Sequence, residues 1–309
     1  MGAGLEKYTS VAATADGRRL VATVANPVAS LWSVPILDRV AEERDVKPFP
    51  VATVRALMPR FGGAALFYVS SRGGGDGLWR YQDGQVQEIW KGADGALLEP
   101  PAASLDGHRV ALVLTRNGRL QLQVETADGA EPRAVGGTLD VQGAACWSPD
   151  GKWIVTGGSD AQGVGLFKIP VEGGGPVRLA RGLALNPVWS PDASLIVCAG
   201  ANVGRYAPLL AVRPDGSRVE LPEIKLNRDG ERIRFLPNGK GLVYMQGQGA
   251  SQDFSLLDLA TKKSRPLTHL NNTATMRTFD ITPDSKQIVF DRLRENSDIV
   301  LIDLPEKGK

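Results

Sequence analysis

A short turn motif recurs at a nearly constant interval from one end of the chain to the other. Its fullest copy, Trp147–Gly151, reads Trp-Ser-Pro-Asp-Gly, and a degenerate copy lies at Met58–Gly63. Measured between anchor residues of successive copies, the spacings are 46, 44, 44, 42, 46 and 46 residues. Seven units of about 45 residues leave no room for a second domain. The anchors are Asp16, Gly62, Asp106, Asp150, Asp192, Asn238 and Asp284.

Each motif is expected to form a hairpin turn between two strands. Proline presets φ in a turn, Asp or Asn bonds to its own backbone, and glycine accepts a positive φ. In the best copy, Trp153–Thr156 reads as the second strand, Leu166–Ile169 as the third and Val177–Ala180 as the fourth. Four strands in each of seven units predict an all-β fold. We expect residues 1–309 to form a single seven-bladed β-propeller domain with four-stranded antiparallel blades.

The two ends of the chain are expected to leave the ring incomplete. Leu31–Val34 is predicted to be the third strand of the first unit, and Ile299–Leu304 the third strand of the last. Only five residues follow Leu304, too few for a fourth strand. These observations lead to the hypothesis that the chain is the C-terminal part of a longer protein, whose upstream residues complete the last blade.

Composition and motifs offer little support for catalysis. His108 and His269 belong to different parts of the repeat, so no histidine cluster for zinc or haem is predicted. The sequence also lacks a Gly-x-Ser-x-Gly nucleophile elbow, an EF-hand loop and a phosphate-binding loop. We therefore expect no catalytic residue, metal or cofactor. A net charge of +2 gives no sign of nucleic-acid binding, and no apolar stretch is long enough for membrane insertion.

Cysteine and tryptophan residues are expected to have structural roles. Cys146 and Cys198 lie in apolar strand-like runs and are predicted to be small buried hydrophobes, with a disulfide between them as the alternative. Trp147 and Trp189 stand directly before turn anchors. Packing between blades is the expected role of both, and stacking on a ligand is the alternative.

Arginines gather on one face of the predicted ring. The loops from fourth to first strands and from second to third strands share that face, and acidic residues in the same loops neutralise part of its charge. Guanidinium groups there would form bidentate bonds to carboxylate or phosphate, although an ordinary mixed-charge rim is the alternative. An aromatic residue among them would help to grip a protein. The candidate ligand-binding or partner-binding residues are Arg55, Arg72, Arg116, Arg205, Tyr206, Arg228, Arg277 and Arg294.

Three segments carry a family resemblance. Trp147–Thr156, Trp189–Cys198 and Ile281–Phe290 resemble the repeats of TolB-like propellers, also called WD40-like or PD40 repeats. The last unit, Phe279–Asp303, is also similar to C-terminal propellers of bacterial multidomain proteins that begin with a Ser/Thr kinase or winged-helix domain. The resemblance implies a sensory or protein-interaction module in the periplasmic or extracytoplasmic part of a membrane-anchored protein.

These observations favour a non-catalytic binding or sensing module. We expect a monomer that recognises a protein, a peptide or an anionic ligand on its loop-rich face. The alternative function is that of a propeller lyase or glycoside-type hydrolase, with a metal or acidic residues such as Asp140 and Asp229 in the central channel. A scaffold with no preferred ligand is the third possibility.

Overall fold

The computed structural model describes residues 7–25, 28–51, 55–71, 76–92, 96–97, 99–116, 118–227, 232–248, 251–271, 274–294 and 297–303. Within these ranges the regular structure is β-strand, apart from one 3-10 helix at Glu43–Asp45. None of the described residues form a helix long and apolar enough to cross a membrane.

The strands are short and follow one another closely along the chain. The first ten are β1 (Lys7–Ala13), β2 (Arg19–Ala25), β3 (Val28–Pro35), β4 (Ala41–Glu42), β5 (Lys47–Pro48), β6 (Leu57–Gly62), β7 (Ala65–Ser71), β8 (Asp76–Gln82), β9 (Gln85–Trp90) and β10 (Ala96–Leu97). The next ten are β11 (Ala102–Ala103), β12 (Arg109–Arg116), β13 (Arg119–Thr126), β14 (Arg133–Val135), β15 (Asp140–Trp147), β16 (Trp153–Asp160), β17 (Gly163–Pro170), β18 (Val177–Arg181), β19 (Leu185–Trp189) and β20 (Ile196–Ala199). The remainder are β21 (Tyr206–Val212), β22 (Arg218–Val219), β23 (Lys225–Asn227), β24 (Ile233–Phe235), β25 (Gly241–Gln246), β26 (Asp253–Asp258), β27 (Ser264–Pro266), β28 (Thr268–His269), β29 (Phe279–Ile281), β30 (Gln287–Arg294) and β31 (Ser297–Asp303).

Most of these strands form antiparallel sheets of four or five strands. Five of the sheets take consecutive strands: β6–β9, β10–β14, β15–β18, β19–β23 and β24–β27. A sixth has the order β29-β30-β3-β5. The first strands of the six sheets contact one another in the order β6, β11, β15, β19, β24 and β29, and β29 contacts β6 again. The six sheets therefore stand radially around a central channel, as in a propeller.

The predicted count of seven blades is not confirmed. In the described part of the chain six sheets surround the channel, and β1, β2 and β31 form a separate three-stranded sheet. The third strands of the first and last repeat units are thus exchanged: β3 pairs with β30, and β31 pairs with β2. Burial explains the choice, because β3 buries Leu31 and Val34 almost completely, whereas Ile299 and Leu301 of β31 are 79% and 56% exposed.

The sheet that contains the last repeat unit has a fourth strand. The sequence led us to expect that this strand would be missing. Instead, β5 pairs with the outer side of β3, with Trp32 opposite Pro48. The N-terminal part of the chain therefore supplies both outer strands of this sheet. A short parallel pair of β28 and β4 links the same region to the preceding sheet.

The apolar core lies between neighbouring sheets. Each large cluster of buried side chains combines residues of two adjacent sheets, as where Phe254 meets Phe279 and Phe290. The ring centroid of Phe254 is 5.0 Å from that of Phe279 and 5.5 Å from that of Phe290. Trp147 packs in the same way and donates its Nε1–H to Ala102 O of the preceding sheet at 2.9 Å. Its predicted role in packing between blades is confirmed.

The recurring motif forms the expected hairpin turns. Ser148 Oγ donates to Asp150 Oδ1 at 2.6 Å, and the same oxygen accepts from the backbone N–H of Lys152 at 3.1 Å. The side chain of Asp150 therefore stabilises the turn between β15 and β16 by binding the backbone two residues further along the chain. The residue after the anchor takes a positive φ, and Ala193 does so without being glycine, at +61°.

Candidate functional site

The strands nearest the channel, here called the inner strands, are β6, β11, β15, β19, β24 and β29. Their C-terminal halves line a central cavity of about 410 Å³. In each inner strand, one lining residue pairs with a residue of the second strand of the same sheet, and the six pairs occupy equivalent positions. We call these residues the channel layer. They are Arg60, Ala102, Cys146, Val188, Arg234 and Asp280. Their partners on the second strands are Phe67, Ala111, Val155, Val197, Val243 and Val289.

The charged members of the channel layer lie on one side. Since β29 contacts both β6 and β24, Asp280 is placed between Arg60 and Arg234. The Nε atom of Arg234 lies 3.6 Å from Asp280 Oδ1. The Asp280 carboxylate also accepts from the backbone N–H groups of Phe61 at 2.7 Å and of Ile281 at 2.9 Å. One wall of the channel therefore holds a fixed cation–carboxylate–cation series.

Both arginines are removed from water. Arg60 is 6% exposed and Arg234 is 9% exposed. Burial lowers the pKa of Arg60 well below its usual value, and the nearby positive charge of Arg234 acts in the same direction. Burial also lowers the pKa of Arg234, while Asp280 opposes that effect. Because a guanidinium keeps its proton in proteins, two desolvated cations remain in the channel wall, one on either side of Asp280.

Apolar groups make up the rest of the lining. Ala102, Cys146 and Val188 occupy the part of the channel layer away from the charged series. Towards the hairpin turns the cavity is bordered by Phe61, Trp147, Trp189, Phe235 and Ile281, and at its mouth by Gly63, Leu105, Pro191, Pro237 and Pro283. The channel therefore opens on the face that carries the turns between first and second strands.

The described members of the predicted arginine face lie at the other end of the ring. None of them lines the central cavity. Arg55 forms an ion pair with Asp76 at 3.2 Å, and Arg116 donates to Gln123 Oε1 at 2.7 Å. Tyr206 is 44% exposed and borders a separate surface cavity. Arg205, Arg277 and Arg294 are exposed, and Arg72 and Arg228 lie outside the described residues. A role for this set in binding anions stays a prediction.

Both cysteines are free thiols. Cys198 is buried, and burial raises its pKa to about 12. Burial also raises the pKa of Cys146, whose sulfur accepts from the backbone N–H of Trp189 at 3.4 Å. The alternative of a disulfide between them is therefore wrong. Each thiol is protonated at neutral pH, and Cys146 contributes an uncharged surface to the channel.

Of the two acidic residues proposed from sequence for the channel, the structure describes Asp140. Asp140 Oδ1 accepts from the backbone N–H of Leu120 at 3.4 Å and is not among the lining residues, while Asp229 lies outside the described part of the chain. Across the described ranges, no three His, Cys, Asp or Glu side chains are grouped as a metal site.

The channel layer was not predicted, although the sequence carries a signal for it. Five of its members stand four residues before a turn anchor, as Arg234 does before Asn238 and Asp280 before Asp284. Arg60 belongs to the degenerate copy and comes two residues before Gly62. Aligning the repeats on this position would have shown the two arginines and the aspartate together.

Comparison with known proteins identifies similar folds. The model of the PD40 family, described as TolB beta propeller domain, matches residues 76–308. A putative TolB from Agrobacterium tumefaciens has a TM-score of 0.63 and 17% identity, over 87% of this chain and 99% of that chain. A chain of a nidogen/laminin complex has a TM-score of 0.57 and 13% identity, over 87% and 98%.

An enzyme is also among the similar structures. Oligogalacturonate lyase from Vibrio parahaemolyticus has a TM-score of 0.54 and 10% identity, over 98% of each chain. No curated protein matches the sequence. At these identities the solved structures show a shared fold alone.

Proposed function

This chain belongs to the PD40 family of TolB β-propeller domains, and on that premise we propose that it is a non-enzymatic module that binds a protein or peptide segment. The segment enters the central channel from the face of the hairpin turns. In this proposal the described sheets act as one domain whose rigid strands hold the binding surface ready. The observation that carries it is the cavity of about 410 Å³ lined by all six inner strands, a volume within the range of ligand pockets.

The lining suits recognition of a peptide. Phe61 is half-buried near the mouth, and Trp147, Trp189 and Phe235 line the cavity with the small part of each ring that packing between sheets leaves accessible; aromatic residues are enriched at protein interfaces. Because these side chains belong to strands, they lose little conformational freedom when a ligand binds. Among the similar structures, the nidogen chain is solved in a complex with laminin, which is consistent with protein binding by this fold.

The charges in the lining support binding more than catalysis. Glycoside hydrolysis generally uses a pair of carboxyl groups, one of which acts as an acid. Among the described lining residues Asp280 supplies the carboxylate, and it is held by Arg234 and by the backbone N–H groups of Phe61 and Ile281. The described lining therefore does not supply the pair of carboxyl groups that this chemistry uses.

A pair of surface variants tests which face binds. Leu105 is 60% exposed at the mouth of the channel, and Val203 is 72% exposed in a loop beside Arg205 and Tyr206 on the opposite face. Both positions tolerate a polar side chain without loss of core packing. The experiment compares affinity capture by the wild type, Leu105→Glu and Val203→Glu from the source cells, followed by mass spectrometry.

We expect the wild type and Val203→Glu to retain the same partner and Leu105→Glu to lose it. A partner lost by Val203→Glu and retained by Leu105→Glu would move the binding site to the predicted arginine face. Retention of the same partner by all three proteins would also contradict binding at the channel mouth. Circular dichroism of each variant provides the control for folding.

A further inference from the structure

Two buried arginines flank one carboxylate in a channel whose remaining described lining is apolar. We propose that the channel binds a ligand carboxylate at Arg60 and Arg234, with an apolar group of the same ligand lying nearer the mouth. This inference rests on the proposed function and names the chemistry that the channel selects. The carboxylate belongs either to a peptide with an apolar C-terminal residue or to a free apolar carboxylic acid.

The position of the arginines supports an anion at this depth. They occupy equivalent places on β6 and β24, on either side of β29, and both are more than nine-tenths buried. Desolvated cations interact strongly with an anion because the surrounding dielectric is low. Asp280 lies near both arginines and Asp291 lies near Arg60, so these carboxylates offset part of the repulsion between the two cations, and a ligand anion adds to that effect.

The existing hydrogen bonds hold these side chains in place. Arg60 Nη1 donates to Phe279 O at 3.0 Å, and Arg234 Nη1 donates to Ile233 O at 2.9 Å. The Nε atom of Arg234 also lies 3.6 Å from Asp280 Oδ1. The guanidinium groups are therefore fixed before a ligand arrives, which reduces the entropy lost on binding.

The shape and charge of the lining favour a carboxylate with an apolar neighbour. A guanidinium fork matches the planar, singly charged carboxylate group. Asp280 lies between the two arginines and disfavours a dianion such as phosphate. Facing the charged series are Ala102, Cys146 and Val188, and towards the mouth lie the aromatic side chains. A ligand that fits this distribution carries its charge at the inner end.

The test compares probes that differ in one functional group. N-acetyl-phenylalanine is titrated against its primary amide by calorimetry, and the tripeptide Ala-Ala-Phe against its C-terminal amide. Charge-assisted hydrogen bonds predict that each acid binds about ten- to a hundredfold more tightly than its amide. A tighter tripeptide acid indicates a peptide C-terminus as the natural ligand, and equal binding of the two acids indicates a small carboxylic acid. Both results support the proposal.

Variants of the charged series give effects in opposite directions. Arg234→Gln removes a cation and is expected to abolish the preference for the acid, whereas Asp280→Asn removes the competing carboxylate and is expected to tighten binding of the acid several-fold. Arg213→Gln, at an exposed turn on the same face, is the matched control and leaves binding unchanged. The thermal shift caused by the probe is measured against each variant's own unliganded melting temperature, so a loss of stability is separated from a loss of binding.

Four results would overturn the inference. Three concern the wild type: equal affinity for acid and amide, no saturation by either acid in the millimolar range, or tighter binding of inorganic phosphate than of either acid. The fourth is a preference for the acid that is unchanged in Arg234→Gln. Equal affinity for the tripeptide acid and amide, with loss of both in Leu105→Glu, would leave the proposed binding function in place and reject only the carboxylate.

Discussion

Replacing Leu31 with alanine tests how the ring of sheets is closed. Leu31 lies on β3 and is 1% exposed. Its buried cluster includes Leu66 and Trp79 of the neighbouring sheet and Val289 of β30. These contacts exist because β3 has joined the sheet of the last repeat unit and not that of the first. The substitution therefore reports on the strand exchange itself.

The expected loss of stability is large. Leu→Ala removes three carbon atoms, and at about 0.8 kcal/mol for each the lost transfer free energy is about 2.4 kcal/mol. A cavity between two packed sheets adds to this, which places the total near 3–4 kcal/mol, within the range of about 2.7–5 kcal/mol for buried leucines. Val21 on β2 is 37% exposed, so Val21→Ala is expected to cost about 0.5 kcal/mol or less.

Urea unfolding monitored by tryptophan fluorescence measures both free energies. A double-mutant cycle with Val289→Ala adds a direct test, because residues that share a cluster are expected to show a coupling energy of about 0.5–3 kcal/mol. A loss below about 1 kcal/mol for Leu31→Ala would refute the closure described above, since buried leucines cost more. So would a coupling energy indistinguishable from zero.

Three further substitutions or treatments probe local features. Ala193→Gly relieves a left-handed φ of +61°, and after the entropy cost of glycine we expect a gain of about 0.5–1 kcal/mol in a thermal melt. The hydroxyl of Ser148 lowers the pKa of Asp150 below its ordinary value of 3.8. The stability that this hydrogen bond provides is present above pH 3.8 and is lost as the pH falls through the lowered pKa of Asp150 in the folded protein. Ser148→Ala should therefore weaken the dependence of stability on pH in the acid range, as measured by urea unfolding. Cys198, whose pKa burial raises to about 12, should react with iodoacetamide far more slowly in the native protein than in urea, as followed by mass spectrometry.

Local features of the fold were readable from the sequence. The turn motif specifies its own hydrogen bonds, as at Ser148 and Asp150, so the hairpins and their period follow from residues close together in the chain. The position of Trp147 directly before its turn motif similarly predicted that it packs between sheets. Such features depend on short-range chemistry and on a period that the chain repeats.

Closure and site chemistry depend on contacts that no local pattern specifies. The third strand of the first unit and that of the last are both short apolar runs, and only burial in the assembled ring determines that β3 pairs with β30. Arg60 and Arg234 are far apart in sequence and become neighbours of Asp280 only when β6, β24 and β29 meet. Loops are easier to locate from sequence than the register of inner strands, which is why exposed loop arginines such as Arg205 were predicted as the site instead.

The exchanged strands also affect how the chain reaches its native state on the ribosome. β2 and β3 emerge early, but their partners β31 and β30 are synthesised after every other sheet. Until then the edges of these early strands remain unpaired, and such edges promote association with other chains. Since long-range strand pairing forms slowly, we expect completion of the ring to be a late step of folding, and the unpaired edges need protection until then.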